Sequence, residues 1–204
     1  MLGAFTPGTP EEPRKTSLER PRTPRTFVEP RSAHRYDVHV NVLPSDIVIR
    51  RADSHDITAL GELGATLMRA HFAYDPLRFL DPGGNRDAEA GYARFLGSQL
   101  EEEGSIVLVA ERRGRIVGYV YAAIEPLSWK ELRDECGFIH DLLVADVARR
   151  SGVGEGLLNA AIEWLREQGM PRVVLGTAAQ NDTARRLFTR CGFRPTMVEM
   201  TLEL

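Results

Sequence analysis

The sequence predicts an α+β fold, and three patterns carry that prediction. Two amphipathic helical stretches come first, at residues 57–68 and 87–102. An apolar hairpin follows, with residues 106–110 and 116–120 turned at Arg113-Gly114. Two strand-then-helix units complete the order, beginning near Gly137 and Arg172. Periods of 3.6 and 2 thus alternate along one chain, as they do where helices and strands share one layered domain.

The beginning of the 204-residue chain has little to bury. Pro7, Pro10, Pro13, Pro21, Pro24, Pro30 and Pro44 are spread among Thr, Glu and Arg with few large apolar groups. Such a stretch cannot offset its own chain entropy by burial. Residues 1–45 are expected to form a flexible Pro/Arg-rich tail and residues 46–204 the folded domain. Arg14, Lys15, Arg20, Arg22 and Arg25 are diluted by Glu11, Glu12, Glu19 and Glu29, so the tail is no strong anion binder. Phe27-Val28 and Val38-His39-Val40 are its candidates for short contacts with the domain.

The first helix presents Ile57, Leu60, Leu63, Leu67 and Met68 on one face, with Asp53 or Ser54 suited to cap it, and runs out at residues 71–76. The second carries Tyr92, Phe95, Leu96 and Leu100. Between them, residues 75–85 hold prolines, two glycines, Arg78, Phe79 and Asp81, a loop composition. After the hairpin, residues 125–135 with Trp129 read as a second loop. Residues 137–145 are mostly apolar with His140 and Asp141 inside, as in a buried strand. Leu157, Leu158, Ala161, Ile162 and Leu165 then form one helical face, Glu163, Arg166 and Glu167 the other, and Gly169 and Pro171 end the helix. A strand is expected at residues 172–177. Asn181 or Asp182 caps a last helix closed by Cys191-Gly192-Phe193, and alternation over residues 198–204 predicts a final half-buried strand.

The run Arg149-Arg150-Ser151-Gly152-Val153-Gly154, between strand and helix, has the chemistry of a phosphate cradle. Arginines supply charge, and glycines let backbone N–H groups at a helix start approach an anion. No G-x-x-x-x-G-K-[ST] is present, and Leu157 stands where a dinucleotide fingerprint needs its third glycine. A nucleotide triphosphatase and a Rossmann dehydrogenase are thereby disfavoured. Asn181, Ala184, Leu187, Phe188, Gly192 and Phe193 form a second constellation, in which the small Ala184 permits close approach to its helix.

Together these segments resemble the GNAT superfamily of acyl-CoA-dependent N-acetyltransferases. Its acyl-CoA motif [QR]-x-x-G-x-[GA] is matched by Arg149, Gly152 and Gly154, and N-x-x-A-x-x-L-[YF]-x-x-x-G-F by the second constellation. The resemblance covers the chain from about Ile47 to Leu204. It implies a mixed, mostly antiparallel central sheet flanked by helices, with fourth and fifth strands that splay apart. It also implies acetyl-CoA as co-substrate, its pantetheine pairing with the backbones of Leu142, Leu143 and Val144. Residues Arg149, Arg150, Ser151, Gly152, Val153 and Gly154 would hold the pyrophosphate, Asn181 would bond the pantetheine, and Phe188 would pack near the thioester. Many family members carry a tyrosine where Phe188 stands, whose hydroxyl protonates the departing thiolate. Phenylalanine cannot donate, which leaves water, Tyr119 or Tyr121.

The implied reaction is direct attack of a primary amine on the thioester. A protonated amine has no lone pair, so a base must take its proton, and backbone N–H groups must stabilise the developing oxyanion. His140 and Asp141 are the titratable pair in the presumed fourth strand and the catalytic candidates. Strand alternation lets only one of them face the acetyl group. Imidazole titrates near neutrality, roughly 6.5 in free solution, which favours His140 slightly. Loops 75–85 and 125–135 are expected to wall the acceptor cleft, where Asp75, Asp81, Glu125 and Glu135 would suit a cationic amine. The alternative is a catalytically idle acyl-CoA-binding regulator, favoured by Phe188.

No apolar run approaches the roughly twenty residues of a membrane span. The net charge of -3 gives no nucleic-acid footprint. Cys136 and Cys191 lack the spacing of a metal or disulfide framework. No metal is therefore expected, and a reducing cytoplasm fits. The expected partner is the amine acceptor. Neither nucleic acid nor membrane is expected, and the oligomeric state, a homodimer included, is left open.

Overall fold

The computed structural model describes residues 43–83 and 87–204. They lie in the larger of the chain's two units, Tyr36–Leu204; the expected tail falls outside them except for its last three residues. The elements are β1 (Ile47–Arg51), α1 (Ile57–Tyr74), α2 (Ala88–Gln99), β2 (Ser105–Arg112), β3 (Arg115–Glu125), β4 (Cys136–Val144), α3 (Val153–Glu167), β5 (Val173–Leu175) and α4 (Asp182–Arg190). They form one sheet in the order β1-β2-β3-β4-β5. Neighbours pair antiparallel through β4, and β4 with β5 is parallel. This is the mixed, mostly antiparallel sheet that the sequence implied.

Apolar residues on both faces of β2 and β3 bury the centre of the sheet between two layers, which is why these strands read as continuous hydrophobic runs. On one side Ile106, Leu108, Val120, Ala122 and Ile139 pack against Leu157, Leu158, Ala161 and Leu165 of α3 and Phe188 of α4. On the other, Val107, Val109, Tyr119, Tyr121 and Leu143 pack against Leu60 and Leu67 of α1 and Leu96 of α2. The helix faces expected from periodicity are the faces buried.

Helices α1 and α2 meet closely because small residues lie between them. A Cβ added at Gly64 would stand 2.2 Å from the ring of Tyr92, so that ring is locked over the sheet. The start of α1 is anchored by Asp53, the N-cap of a short helical turn, in a capping box with Asp56. Arg50 reaches Asp56 through two nitrogens, at 2.7 and 2.9 Å, and Glu111 at 2.9 Å. Asp56 is buried, and the Arg50 guanidinium holds its carboxyl below the usual range. Asp87 caps α2 by accepting from the Ala90 N–H at 3.0 Å.

Three expectations change. The strand expected at residues 172–177 forms only as Val173–Leu175. The final strand expected at residues 198–204 does not form: this segment lies outside every helix and strand, and Val198, Met200 and Leu202 are fully in solvent. Alternation gives a segment two faces, but a strand also needs a neighbour to bond, and a three-residue β5 offers almost no ladder. Glu199 instead pairs with Arg78 in the loop before α2. Finally Leu43, assigned to the tail, packs against the α3-side core and closes on Gly156.

Candidate active site

The register of β4 places the site. Its parallel pairing with β5 covers only Gly137, Phe138 and Ile139, opposite Val173, Val174 and Leu175. Beyond Ile139 the strand keeps its β3 partners through Val144 but has none on the β5 side. Backbone groups of Leu142, Leu143 and Val144 therefore have no strand partner on the β5 side, and this gap between the strands is the candidate cleft. The Val144 carbonyl already accepts from Arg149 Nε at 3.2 Å.

At the head of this cleft the β3–β4 ladder slips. Tyr121 pairs with Asp141, but the next residue, Ala122, pairs with Ile139, so His140 is the extra residue of a bulge. Simple alternation put His140 and Asp141 on opposite faces; the bulge turns both toward the α1 and α2 layer. His140 stacks on Tyr121 with ring centroids 4.9 Å apart and on Phe138 at 4.6 Å. Asp141 accepts from the Tyr119 hydroxyl at 3.0 Å. Both tyrosines belong to the same core layer.

The two side chains differ in setting. His140 Nε2 lies 3.0 Å from Glu125 Oε1, and about a third of each side chain is exposed. A carboxylate only accepts, so Nε2 carries a proton, and in the neutral ring Nδ1, which bonds nothing among the described residues, keeps its lone pair. Asp141 is pushed above the usual carboxylate range by burial, opposed by the Tyr119 hydroxyl and by His140 and His71 nearby. Tyr119 is completely buried, and burial together with Asp141 raises its hydroxyl far above the phenol range. Tyr121 gives its proton to Gln99 at 2.7 Å. Neither tyrosine, the expected substitutes for a missing acid, has a free hydroxyl proton.

The turn expected to hold phosphate leads from Asp146–Ala148 into α3. Arg150 and Gly152 both have left-handed backbones, φ 61° and 83°. Gly152 is the N-cap of α3, and no side chain among the described residues caps the helix. Its first N–H groups, at the positive end of the helix dipole, thus have no side-chain acceptor among the described residues. Ser151 Oγ donates to the Ala148 carbonyl at 2.6 Å, and Arg149 is bound to Asp146 at 2.9 Å. Arg150 is exposed and pairs with no acid among the described residues, so it is the turn's available charge. A Cβ on Gly154 would meet Leu187 and Val144 at ordinary contact, 3.5 Å; packing alone demands no glycine there. Val153 is buried beneath the turn.

Asn181 Oδ1 caps α4 by accepting from the Ala184 N–H at 3.1 Å, which leaves only its Nδ2 for a ligand. Ala184 packs half-buried against the core, and Phe188 is buried 6.0 Å from Phe193. Of the acids suggested for an acceptor cleft, Asp75 accepts from the N–H groups of Leu77 and Arg78, and Asp81 from that of Gly83. Both are occupied by their own loop. Glu125 is the one that reaches a catalytic candidate.

His71, in the last turn of α1, was not singled out from sequence. Its Nδ1 lies 3.0 Å from the Leu67 carbonyl, which can only accept, so a neutral ring presents Nε2 as acceptor. Its charge is felt by Asp141. Only the packing of α1 across the sheet brings the two together. Among the described residues no cluster of three or more His, Cys, Asp or Glu could hold a metal.

The family model described as "Acetyltransferase (GNAT) family" matches residues 69–193. An uncharacterized N-acetyltransferase of Bacillus subtilis, YhfO, is 31% identical over 105 residues, covering 50% of this chain and 68% of that protein. Several other relatives are matched over less than half of their own length. A mutant form of the BH1408 protein of Bacillus halodurans superposes with a TM-score of 0.65 at 23% identity, covering 77% of this chain and 99% of that one. A predicted acetyltransferase of Clostridium acetobutylicum, solved with acetyl-CoA, superposes at 0.58 with 18% identity over 77% and 96% of the two chains. The fold is the GNAT α+β fold. The chain belongs to the acetyltransferase (GNAT) family, and its general activity is acetyl transfer.

Proposed function

We propose that this protein transfers the acetyl group of acetyl-CoA to a primary amine by direct attack, with His140 as the base. The observation that carries this reading is the cleft opened beyond Ile139. An uncapped helix start with a free arginine stands at one end, and an imidazole with a free Nδ1 at the other. The residues present fit acetyl-CoA: Arg150 and the N–H groups of α3 match a pyrophosphate, and the unpaired β4 edge matches an amide-bearing arm. The neighbour solved with acetyl-CoA supports the same choice.

In this reading acetyl-CoA supplies the activated carbonyl. Nδ1 of His140 takes the ammonium proton directly or through a water, and the stacked rings of Phe138 and Tyr121 keep the imidazole at the cleft. Asp141, buried and bonded to Tyr119, holds the bulge rather than moving protons. Solvent protonates the thiolate, since Phe188 has no proton to give. A cytoplasmic setting belongs to this reading, in keeping with the two free cysteines.

The test follows free CoA thiol with acetyl-CoA and a panel containing an alkylamine, a diamine, an α-amino acid and an aminoglycoside. Release that depends on at least one amine, and that falls roughly a hundredfold or more in His140→Gln, is expected. The second reading, an acyl-CoA-binding regulator, draws on Phe188. Acetyl-CoA binding with no turnover on any amine, and none gained by Phe188→Tyr, would establish it instead.

A further inference from the structure

We propose that Glu125 is a positioning residue for acetyl transfer: it holds His140 in the one tautomer and orientation that leaves Nδ1 free at the cleft. This rests on His140 being the base. Glu125 is the last residue of β3, and the register beyond the bulge pairs its backbone with Cys136, four residues from His140 along β4. The bulge at His140 and the stack on Phe138 and Tyr121 bring Nε2 within 3.0 Å of its carboxylate. An imidazole clamped between two rings can still flip between tautomers, and the carboxylate removes that freedom by accepting only from a protonated Nε2. The sandwich fixes the plane and Glu125 fixes the proton.

The charges that face this pair are few. Asp141 lies beside His140 on β4, and Tyr121 stacks on it from β3. Glu102, after α2, is felt by Tyr121. The Arg133 guanidinium sits 5.9 Å from the ring of Phe138 and bonds Glu131. Glu125 is the carboxylate that bonds the imidazole among the described residues.

The experiment joins nitrogen NMR of the full chain with kinetics on the fastest amine of the panel. In the unsubstituted protein the neutral His140 ring is expected with its proton on Nε2. Glu125→Ala is expected to mix the tautomers and to lower kcat about tenfold or more, a part of what a positioned base contributes, with KM for acetyl-CoA unchanged. Glu125→Gln keeps an oxygen that accepts from Nε2, so it is expected to lose less. A proton found on Nδ1 in the unsubstituted protein would overturn the proposal without any variant. So would a Glu125→Ala protein that keeps both tautomer and kcat. Failure of the underlying reading looks different: His140→Gln would then retain turnover whatever Glu125 does.

Discussion

Burial pushes the Asp141 carboxyl up, and only part of this is returned by the Tyr119 hydroxyl and the two histidines. A carboxyl raised in the folded state binds its proton more tightly there than in the unfolded chain. The stability that neutral Asp141 contributes is fully present below its unfolded pKa, roughly 3.9. It is lost as pH rises through the folded value. Asp141→Asn keeps an oxygen for Tyr119 and cannot ionise. It should match the unsubstituted protein in acid and melt increasingly above it as pH rises toward 8. Melting curves from pH 4 to 8 decide this. A variant that instead falls behind with rising pH would mean that His140 and His71 stabilise the ionised form. Neither the burial nor the bulge behind it was legible in sequence: Phe138-Ile139-His140-Asp141-Leu142-Leu143 has no alternation to show a slip, and a bulge is a relation to β3 rather than a property of β4.

The element that binds, on this reading, is the start of α3 with its turn. Its signal in sequence was strong because local chemistry dictates it: Gly152 sits at φ 83°, where a branched side chain is strained, and an uncapped helix start needs an anion or water. Acetyl-CoA at about a hundred times its Kd should stabilise the folded chain by about 2.7 kcal/mol. Gly152→Val is expected to lose most of the ligand-induced rise in melting temperature, with the fold of the unliganded variant checked by its own melting curve. An undiminished rise would place the pyrophosphate elsewhere. Helices whose apolar face is written at 3.6-residue spacing, such as α3, were equally legible. The strand expected at residues 198–204 was misread for the opposite reason: its alternation is real, but a strand is completed only by a partner, which β5 is too short to be.

At the scale of the whole molecule, residues far apart in sequence assemble the site. His71 from α1, Tyr92 from α2, Tyr119 and Glu125 from β3 and His140 from β4 gather on one face because the sheet is sandwiched between two layers. A sequence names the motif residues within one strand-turn-helix unit. It cannot name those brought in by packing, and that is why Glu125 appeared only as one acid among several. The domain boundary has the same logic. Proline-rich composition suggested that the fold begins at residue 46, yet Leu43 packs against the core and closes on Gly156, and the Ile47 N–H donates to the Pro44 carbonyl at 2.9 Å. Asp46 pairs with Arg112 at 2.8 Å just beyond this turn. A chain beginning at residue 46 keeps the ion pair but loses the half-buried leucine and the turn that presents it. Half of a leucine's burial is about 1 kcal/mol, or roughly 2–4 °C in melting temperature for a domain of this size. A chain beginning at residue 43 should therefore melt a few degrees above one beginning at residue 46. Equal melting temperatures would show that Leu43 contributes nothing and restore the boundary expected from composition.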